Sequence, residues 1–156
     1  MISLRAAIPF IVGENQITSM AMSEAGDNII LDLAIARHLP RVTIGAGETL
    51  FLQGQAADAM YVVVSGTVEI LMFGRILERV GRGGIIGEMA LIDGDARCAA
   101  ALTECDTEAI AVGRDDFLAL VGAEPRFAIS VLRVMARRLR ALTQARAGAS
   151  QEQHHD

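Results

Sequence analysis

The residue types best suited to chemistry lie between positions 86 and 100. Gly87 and Glu88 open this stretch, and Arg97 precedes a run of small residues. Glycine permits a sharp turn or the close approach of another group. The residues from Glu88 to Leu91 are enough for about one helical turn, whose first amides point outward without partners and can bind an anion.

An arginine that enters an apolar core is costly unless it is paired. Arg97 can face the free amides of this turn, and together they can hold a phosphate. Glu88 then fits as acceptor for a hydroxyl of the same ligand, and a phosphate beside a sugar hydroxyl indicates a nucleotide. The alternative is a structural ion pair of Arg97 with Glu88, Asp93 or Asp95, which general principles alone favour.

Composition bounds the kind of protein. The chain has 156 residues, 52% of them hydrophobic, which predicts one domain with a buried core. Its formal net charge of -5 makes the whole chain a poor non-specific binder of nucleic acids or membranes. No apolar run is long enough to cross a membrane. The only cysteines, Cys98 and Cys105, are expected to be reduced core residues, which favours a cytoplasmic location.

Short β-rich runs, separated by glycine or aspartate, fill the middle of the chain. Their spacing is typical of an antiparallel sandwich or barrel. The runs are Arg41–Ile44, Thr49–Leu52, Met60–Val64, Thr67–Leu71, Ile76–Val80, Cys98–Leu102 and Thr107–Val112.

Helices are predicted on both sides of these runs. Asn28 to Arg37 is a short apolar stretch that Pro40 ends. Arg114 to Val121 predicts a helix that Gly122 closes, and a second helix runs from Pro125 to about residue 146. The expected order is therefore helix, β-barrel and two helices.

The last predicted helix carries three rows of side chains at alternating spacings of three and four. One apolar row can pack on the barrel and the other on a twin helix, as in a coiled coil, or the barrel can cover both. Arg138 is a charge inside an apolar row and either reaches water or faces a ligand. The rows are Ile129, Leu132, Ala136, Leu139 and Thr143; Val131, Met135, Arg138 and Leu142; and Arg133, Arg137, Arg140 and Gln144.

The stretch described first resembles the phosphate-binding cassette of the cyclic nucleotide-binding domain family, which includes regulatory subunits of cAMP-dependent protein kinase, cyclic-nucleotide-gated channels and the catabolite activator group. That cassette is approximately Phe-Gly-Glu-x-Ala-Leu, some five variable residues, then Arg and two small residues. Here Gly87-Glu88-Met89-Ala90-Leu91 is followed by five residues, Arg97 and Cys98-Ala99. Ile86 replaces the aromatic residue. Residues 45–66 and 115–142 also look like family strands and closing helices, so the resemblance covers about 28–146.

The resemblance implies a mainly β fold with flanking helices: an antiparallel jelly roll, or double-stranded β-helix, with one N-terminal and two C-terminal helices. It implies an N-terminal extension over 1–27 and a cyclic nucleotide-binding domain over 28–147. Within that domain, the barrel spans about 41–113 and the closing helices about 114–147. A polar tail, 148–156, contains a His pair.

The resemblance also implies roles for particular residues. Arg97 would bind the cyclic phosphate and Glu88 the ribose 2′-hydroxyl. The amides of Ala90 and Leu91 would also meet the phosphate, and Gly87 would allow its close approach. The full predicted ligand-binding set is Gly87, Glu88, Met89, Ala90, Leu91, Arg97, Cys98 and Ala99. The candidates for a lid over the base are Leu132, Met135, Arg138 and Leu139.

The expected ligand is cAMP, with cGMP as the other possibility. Cys98, after Arg97, lacks the hydroxyl that often accompanies cGMP binding in this family. We expect a stand-alone module with no DNA-binding domain, which moves its last helix on binding and signals to an unknown effector protein or a second copy. The alternative is a related scaffold that binds no nucleotide and acts through protein contacts.

Catalysis is not expected. A metal site of the double-stranded β-helix enzymes needs several histidines with a carboxylate, and only His38 lies within the predicted domain. No Ser-His-Asp or Cys-His arrangement can be built from these residues. The sequence therefore predicts no enzyme, no metal and no cofactor.

Overall fold

The computed structural model describes residues 28–152, and the predicted extension and the His154-His155 pair lie outside them. The helices are α1 (Asn28–Ala36), α2 (Glu88–Asp93), α3 (Arg114–Ala123) and α4 (Pro125–Glu152). The strands are β1 (Arg41–Ile44), β2 (Thr49–Phe51), β3 (Ala59–Ser65), β4 (Val68–Met72), β5 (Arg75–Val80), β6 (Ile85–Ile86), β7 (Ala100–Thr103) and β8 (Thr107–Gly113).

The eight strands form two antiparallel four-stranded sheets of a jelly roll. The first has the order β1-β8-β3-β6, and the second has the order β2-β7-β4-β5. In the first sheet β3 pairs with β8, with Val62 opposite Ile110. β3 also pairs with β6, with Val62 opposite Ile85. The short strand β6 therefore leads straight from the sheet into α2.

Strand β3 is buried on both faces because it serves two cores. Met60, Val62 and Val64 belong to the cluster that packs under the helices. Val63 belongs to the second cluster, with Phe51. Since successive side chains of a strand point to opposite faces, a continuous apolar run is needed here instead of an alternating one.

The helices cover the first sheet from outside. Ile30 and Leu31 of α1, Leu120 of α3 and Phe127 of α4 are at most 1% exposed and share one cluster with the sheet. The Phe127 ring meets Phe117 edge to face, 5.6 Å between centroids. This cluster fixes the start of α4, and α4 then continues past the sheet as a 28-residue helix. No helix among the described residues is long and apolar enough to span a membrane.

The predicted jelly roll with one helix before it and two after it is confirmed. Each predicted β run corresponds to a strand, but β6 was missed because it has only two residues. Gly122 does not close α3, which continues to Ala123. The cysteines are free, but both are exposed, so their assignment to the core was wrong. The predicted domain boundaries stay a prediction.

Candidate functional site

Arg97 lies in the barrel and is only 4% exposed. One guanidinium nitrogen, Nη1, donates to the carbonyl of Gly87 at 2.9 Å, and Nη2 donates to the carbonyl of Ala59. The guanidinium also stacks over Phe51, with Cζ 4.1 Å from the ring centroid. Arg97 is thus held in place by backbone and by an aromatic ring.

Gly87 is the contact between Arg97 and helix α2. It has φ 79° and ψ 14°, the left-handed conformation that glycine adopts without strain, and it occupies the N-cap position of α2. A Cβ on this residue would lie 2.2 Å from Nη1 of Arg97 and 3.3 Å from Phe51. The position therefore excludes a side chain both by conformation and by space.

In the described part of the chain, no carboxylate lies within ion-pairing distance of the Arg97 guanidinium. It forms no ion pair there, and its Nε is buried without a hydrogen-bond partner. Among the described residues, the alternative ion pair of Arg97 with Glu88, Asp93 or Asp95 is not formed: Glu88 pairs with Arg138, and the carboxylate of Asp93 accepts from the amide of Asp95. Burial lowers the pKa of the Arg97 guanidinium, although Tyr61, Asp58 and Glu88 oppose this effect.

Glu88 is the first residue of α2, and its carboxylate is buried. The residue is 1% exposed, and its Oε1 forms an ion pair with Nη1 of Arg138. The α2 helix places a carboxylate at its own N-terminus, where the helix dipole favours a negative charge. Glu88 therefore lies between the cassette and helix α4.

Arg138 reaches from α4 to three acceptors on the barrel. Besides Glu88, its Nε donates to Glu78 at 2.8 Å and its Nη2 to the carbonyl of Ile85 at 2.6 Å. Burial by itself would lower the pKa of Arg138, but the carboxylates of Glu88 and Glu78 outweigh burial and raise it. Arg138 is the residue that ties α4 to the candidate ligand site.

The other predicted cassette residues divide into exposed and buried positions. Met89 is 45% exposed, and Cys98 is also exposed. Ala90, Leu91 and Ala99 are at most 5% exposed. In a helix that begins at Glu88, the amide of Ala90 has no acceptor within the helix, whereas that of Leu91 is the first that can donate to the carbonyl of Gly87.

The four lid candidates do not share one surface. Arg138 contacts the cassette, and Met135 packs partly buried against the core under the helices. Leu132 and Leu139 are 57% and 66% exposed, so the structure does not bring them to the site. The row of α4 with Val131 and Arg138 faces the barrel. The row with Leu132 and Leu139 therefore faces away from the site.

Sequence reasoning missed two residues of the site, Phe51 and Glu78. Phe51 was one apolar residue within a predicted strand, and nothing in its spacing marks it as a partner of Arg97. Glu78 lies on β5, and its contact is Arg138 of α4, 60 residues later in the chain. Nothing in the spacing around Glu78 indicates this contact. Among the described residues, no three His, Cys, Asp or Glu side chains could together hold a metal ion.

The comparison with family models identifies the domain. The model of the cyclic nucleotide-binding domain matches residues 41–124, more than half of the chain. The chain belongs to the cyclic nucleotide-binding domain family.

Relatives and solved structures agree with this assignment. The chain is 36% identical over 115 residues to the cyclic AMP receptor protein of Thermus thermophilus, covering 70% of this chain and 53% of that protein. It matches the crystal structure of Thermus thermophilus catabolite activator protein with TM-score 0.68 and 35% identity, over 78% of this chain and 59% of that one. A structure from a cyclic-GMP-dependent signalling pathway of bacterial phytopathogenesis matches with TM-score 0.61 and 30% identity, over 69% and 90%. The chain spans about half the length of the curated relatives it matches.

Proposed function

We propose that this domain is a regulatory module that binds a cyclic nucleotide, with cAMP favoured over cGMP. The observation that carries the proposal is the state of Arg97: a buried cation with an unpartnered N–H and no carboxylate paired to it among the described residues. A buried charge without a counter-charge is costly. An anionic ligand such as a cyclic phosphate would pair with this charge through charge-assisted hydrogen bonds.

The other cassette residues support a nucleotide over a simple anion. Glu88 provides a buried carboxylate one residue after Gly87, suited to accept a hydrogen bond from the ribose 2′-hydroxyl. The amide of Ala90, in the first turn of α2, adds a donor for the phosphate. Cys98 offers no good hydroxyl donor, which favours cAMP over cGMP. The name of the Thermus relative, a cyclic AMP receptor protein, also favours cAMP. Because the phytopathogenesis structure belongs to a cyclic-GMP-dependent pathway, cGMP is tested as the second ligand.

Arg138 gives the site a route to helix α4. A ribose hydroxyl that binds Glu88 competes with or realigns the guanidinium that now holds this carboxylate. Glu78 and the Ile85 carbonyl provide the remaining contacts of Arg138, so the helix shifts without losing its anchor. The ligand thereby changes the position of α4 through differential contacts, as a population shift requires.

The alternative, a scaffold that binds no nucleotide, predicts that Arg97 is neutralised by the protein itself. A pairing with Asp93 or Asp95 would favour that alternative, and the geometry found here gives Arg97 neither. The predictions of no catalysis, no cofactor, a cytoplasmic location and an unknown effector or dimer mate stay predictions.

Titration calorimetry with cAMP and with cGMP tests the proposal. We expect saturable heat with both, and tighter binding of cAMP. Arg97→Ala should weaken cAMP binding by at least about a hundredfold, because two charge-assisted hydrogen bonds at about 1.5 kcal/mol each are lost. Arg75→Ala removes an exposed arginine of β5 and serves as the matched control, with unchanged affinity.

An analogue separates the role of Glu88 from that of Arg97. We expect 2′-deoxy-cAMP to bind the unmodified chain at least about tenfold more weakly than cAMP, and Glu88→Ala to bind the two ligands equally. No heat with either cyclic nucleotide at high micromolar concentration would refute nucleotide binding and leave the scaffold. Equal loss in Arg75→Ala and Arg97→Ala would refute the assigned site.

A further inference from the structure

The ring of Phe51 lies against the buried guanidinium of the candidate site. Cζ of Arg97 is 4.1 Å from the ring centroid, close enough for the electron-rich face of the ring to attract the cation. Phe51 is 8% exposed and belongs to the second core cluster, with Val63 and Ile86. Its ring also stacks on that of Tyr61, with 6.4 Å between the centroids. Core packing therefore holds the ring beside Arg97.

The orientation of Arg97 does not depend on this ring. The guanidinium donates to the carbonyls of Gly87 and Ala59. The main chain of Arg97 is bound to the loop after β2: its amide donates to the carbonyl of Gln55, and its carbonyl accepts from the amide of Gly54, both at 2.8 Å. Because backbone groups fix both ends of the Arg97 side chain, positioning is not the role left to the ring.

The role that remains for the ring is electrostatic. Among the described residues no carboxylate pairs with Arg97, and its buried Nε has no hydrogen-bond partner. A contact between a cation and an aromatic face is stronger in a desolvated site than at the surface of a protein. The ring of Phe51 therefore offsets part of the cost of burying an unpaired guanidinium.

This compensation is largest while the site is empty. A ring face attracts a group through its positive charge, so it attracts a guanidinium that is paired with a phosphate less than a free one. An interaction that stabilises the empty state more than the bound state weakens the affinity for the ligand by the difference. The ring and the phosphate therefore compete for the same cation.

We propose that Phe51 sets the affinity of this site: its ring compensates the charge of Arg97 in the empty domain and thereby weakens the binding of the cyclic phosphate. The inference rests on the proposed function and goes beyond it, because it assigns an affinity-lowering role to a residue outside the cassette. A weaker ring face should lower the stability of the empty domain and tighten ligand binding. Damage to the packing at position 51 would instead lower both.

Graded fluorination of the Phe51 ring tests this opposition, since fluorine withdraws electron density from the ring face with little change of shape. The full chain is made by amber suppression with phenylalanine that carries one, two or three ring fluorines at position 51. We expect the urea midpoint of the empty domain to fall with each fluorine. The dissociation constant of cAMP, measured by titration calorimetry, should fall in parallel, to about one fifth with three fluorines.

Two controls assign the effect to this contact. The same trifluorinated residue at Phe73, which is 86% exposed between β4 and β5, should change neither the urea midpoint nor the affinity for cAMP. In an Arg97→Met background the midpoint should no longer fall when Phe51 is fluorinated, because the cation is absent. This second control needs no ligand.

Two results would overturn the inference and leave the proposed function intact. The first is an affinity for cAMP that stays constant or weakens with fluorination, since a weakened affinity would make the ring a positioning group. The second is a urea midpoint that falls equally in the Arg97→Met background. Absence of cAMP binding by the unmodified chain would refute the proposed function, and the affinity role of Phe51 with it, whatever the midpoints are.

Discussion

Two arginines contact the start of helix α2, Arg97 buried and Arg138 partly buried, and their surroundings differ in charge. Arg138 is in contact with two carboxylates, Glu88 and Glu78. Arg97 has two carbonyls, the ring of Phe51 and an unpartnered Nε. Both guanidiniums approach α2 at its first turn, one at the carbonyl of Gly87 and the other at the side chain of the next residue.

The difference separates a structural role for Arg138 from the binding role proposed for Arg97. In a buried ion pair, each charge is compensated by its partner within the fold. Removing one partner lowers the free energy of unfolding, because the other charge stays buried without compensation. A buried cation without an ion pair keeps the fold less stable than it would otherwise be, and binding of the proposed ligand would recover that cost. The region around Arg138 should therefore control stability, and the region around Arg97 should control affinity.

The largest expected effect comes from removing each arginine in turn. Arg138→Met should lower the free energy of unfolding by about 3 kcal/mol, because it leaves the Glu88 carboxylate buried without a cation. Arg97→Met should lower it by at most about 1 kcal/mol, since the loss of the hydrogen bonds to two carbonyls is offset in part by removal of a buried, unpaired cation. Urea unfolding monitored by circular dichroism measures both.

A second substitution checks the reason for the loss. Adding Glu88→Gln to Arg138→Met removes the orphaned charge and should recover about half of the lost stability. Equal destabilisation by Arg97→Met and Arg138→Met would contradict the division between the two regions.

The next effect comes from Gly87, where the two regions meet. Gly87→Ala places a methyl 2.2 Å from Nη1 of Arg97 at φ 79°, so both strain and displacement of Arg97 are expected. We expect a loss of about 3 kcal/mol in stability and at least about tenfold in cAMP affinity. Gly74→Ala has a similar φ of 74° with nothing within 4 Å, and should cost about 1 kcal/mol with no change in affinity. Titration calorimetry with cAMP on both variants decides whether the loss of affinity comes from the backbone conformation or from displacement of Arg97.

The contrast between these regions also shows where sequence reasoning works. The jelly roll follows from period and punctuation: apolar runs cut by glycine and aspartate gave seven of the eight strands, since strand and turn preferences are local. Gly87, Glu88 and Arg97 were identified because their chemistry is concentrated in one short segment. The two environments were not predictable, because Phe51 and Glu78 come from other parts of the chain.

The rows on α4 illustrate the same limit. The pattern identified two apolar rows and left open which of them the barrel covers. The row that faces the barrel is the one with Val131 and Arg138, because the Arg138 guanidinium has three hydrogen-bond acceptors there. Which row faces the barrel depends on Glu78, Ile85 and Glu88, which β5, β6 and α2 bring together. The helical periodicity of α4 contains no information about these three residues.

A smaller effect is expected at Glu78, the outer carboxylate of Arg138. Its side chain is 40% exposed, so solvent screens the interaction. Glu78→Gln should lower the stability by about 0.5 kcal/mol and should increase hydrogen exchange of the α4 amides around Arg138. The change that cAMP causes in hydrogen exchange of the α4 amides should then be larger in Glu78→Gln than in the unmodified chain. An unchanged exchange pattern would contradict the role of Glu78 as an anchor.

The smallest effect is expected at the exposed pair of Arg41 and Glu108, which joins β1 to β8 at 2.9 Å. The side chains are 48% and 36% exposed, so the Coulomb energy is offset by the entropy of ordering them and screened by salt. Glu108→Gln should change the free energy of unfolding by less than about 0.5 kcal/mol in urea titrations, and high salt should remove the difference. The distance of this pair is similar to that between Arg138 and Glu78, so the exposure of the two arginines, 48% for Arg41 and 19% for Arg138, has to account for the smaller effect at Glu108. A loss at Glu108 as large as that at Glu78 would show that distance alone sets the energies, and the contrast between the two arginines would then lose its physical basis.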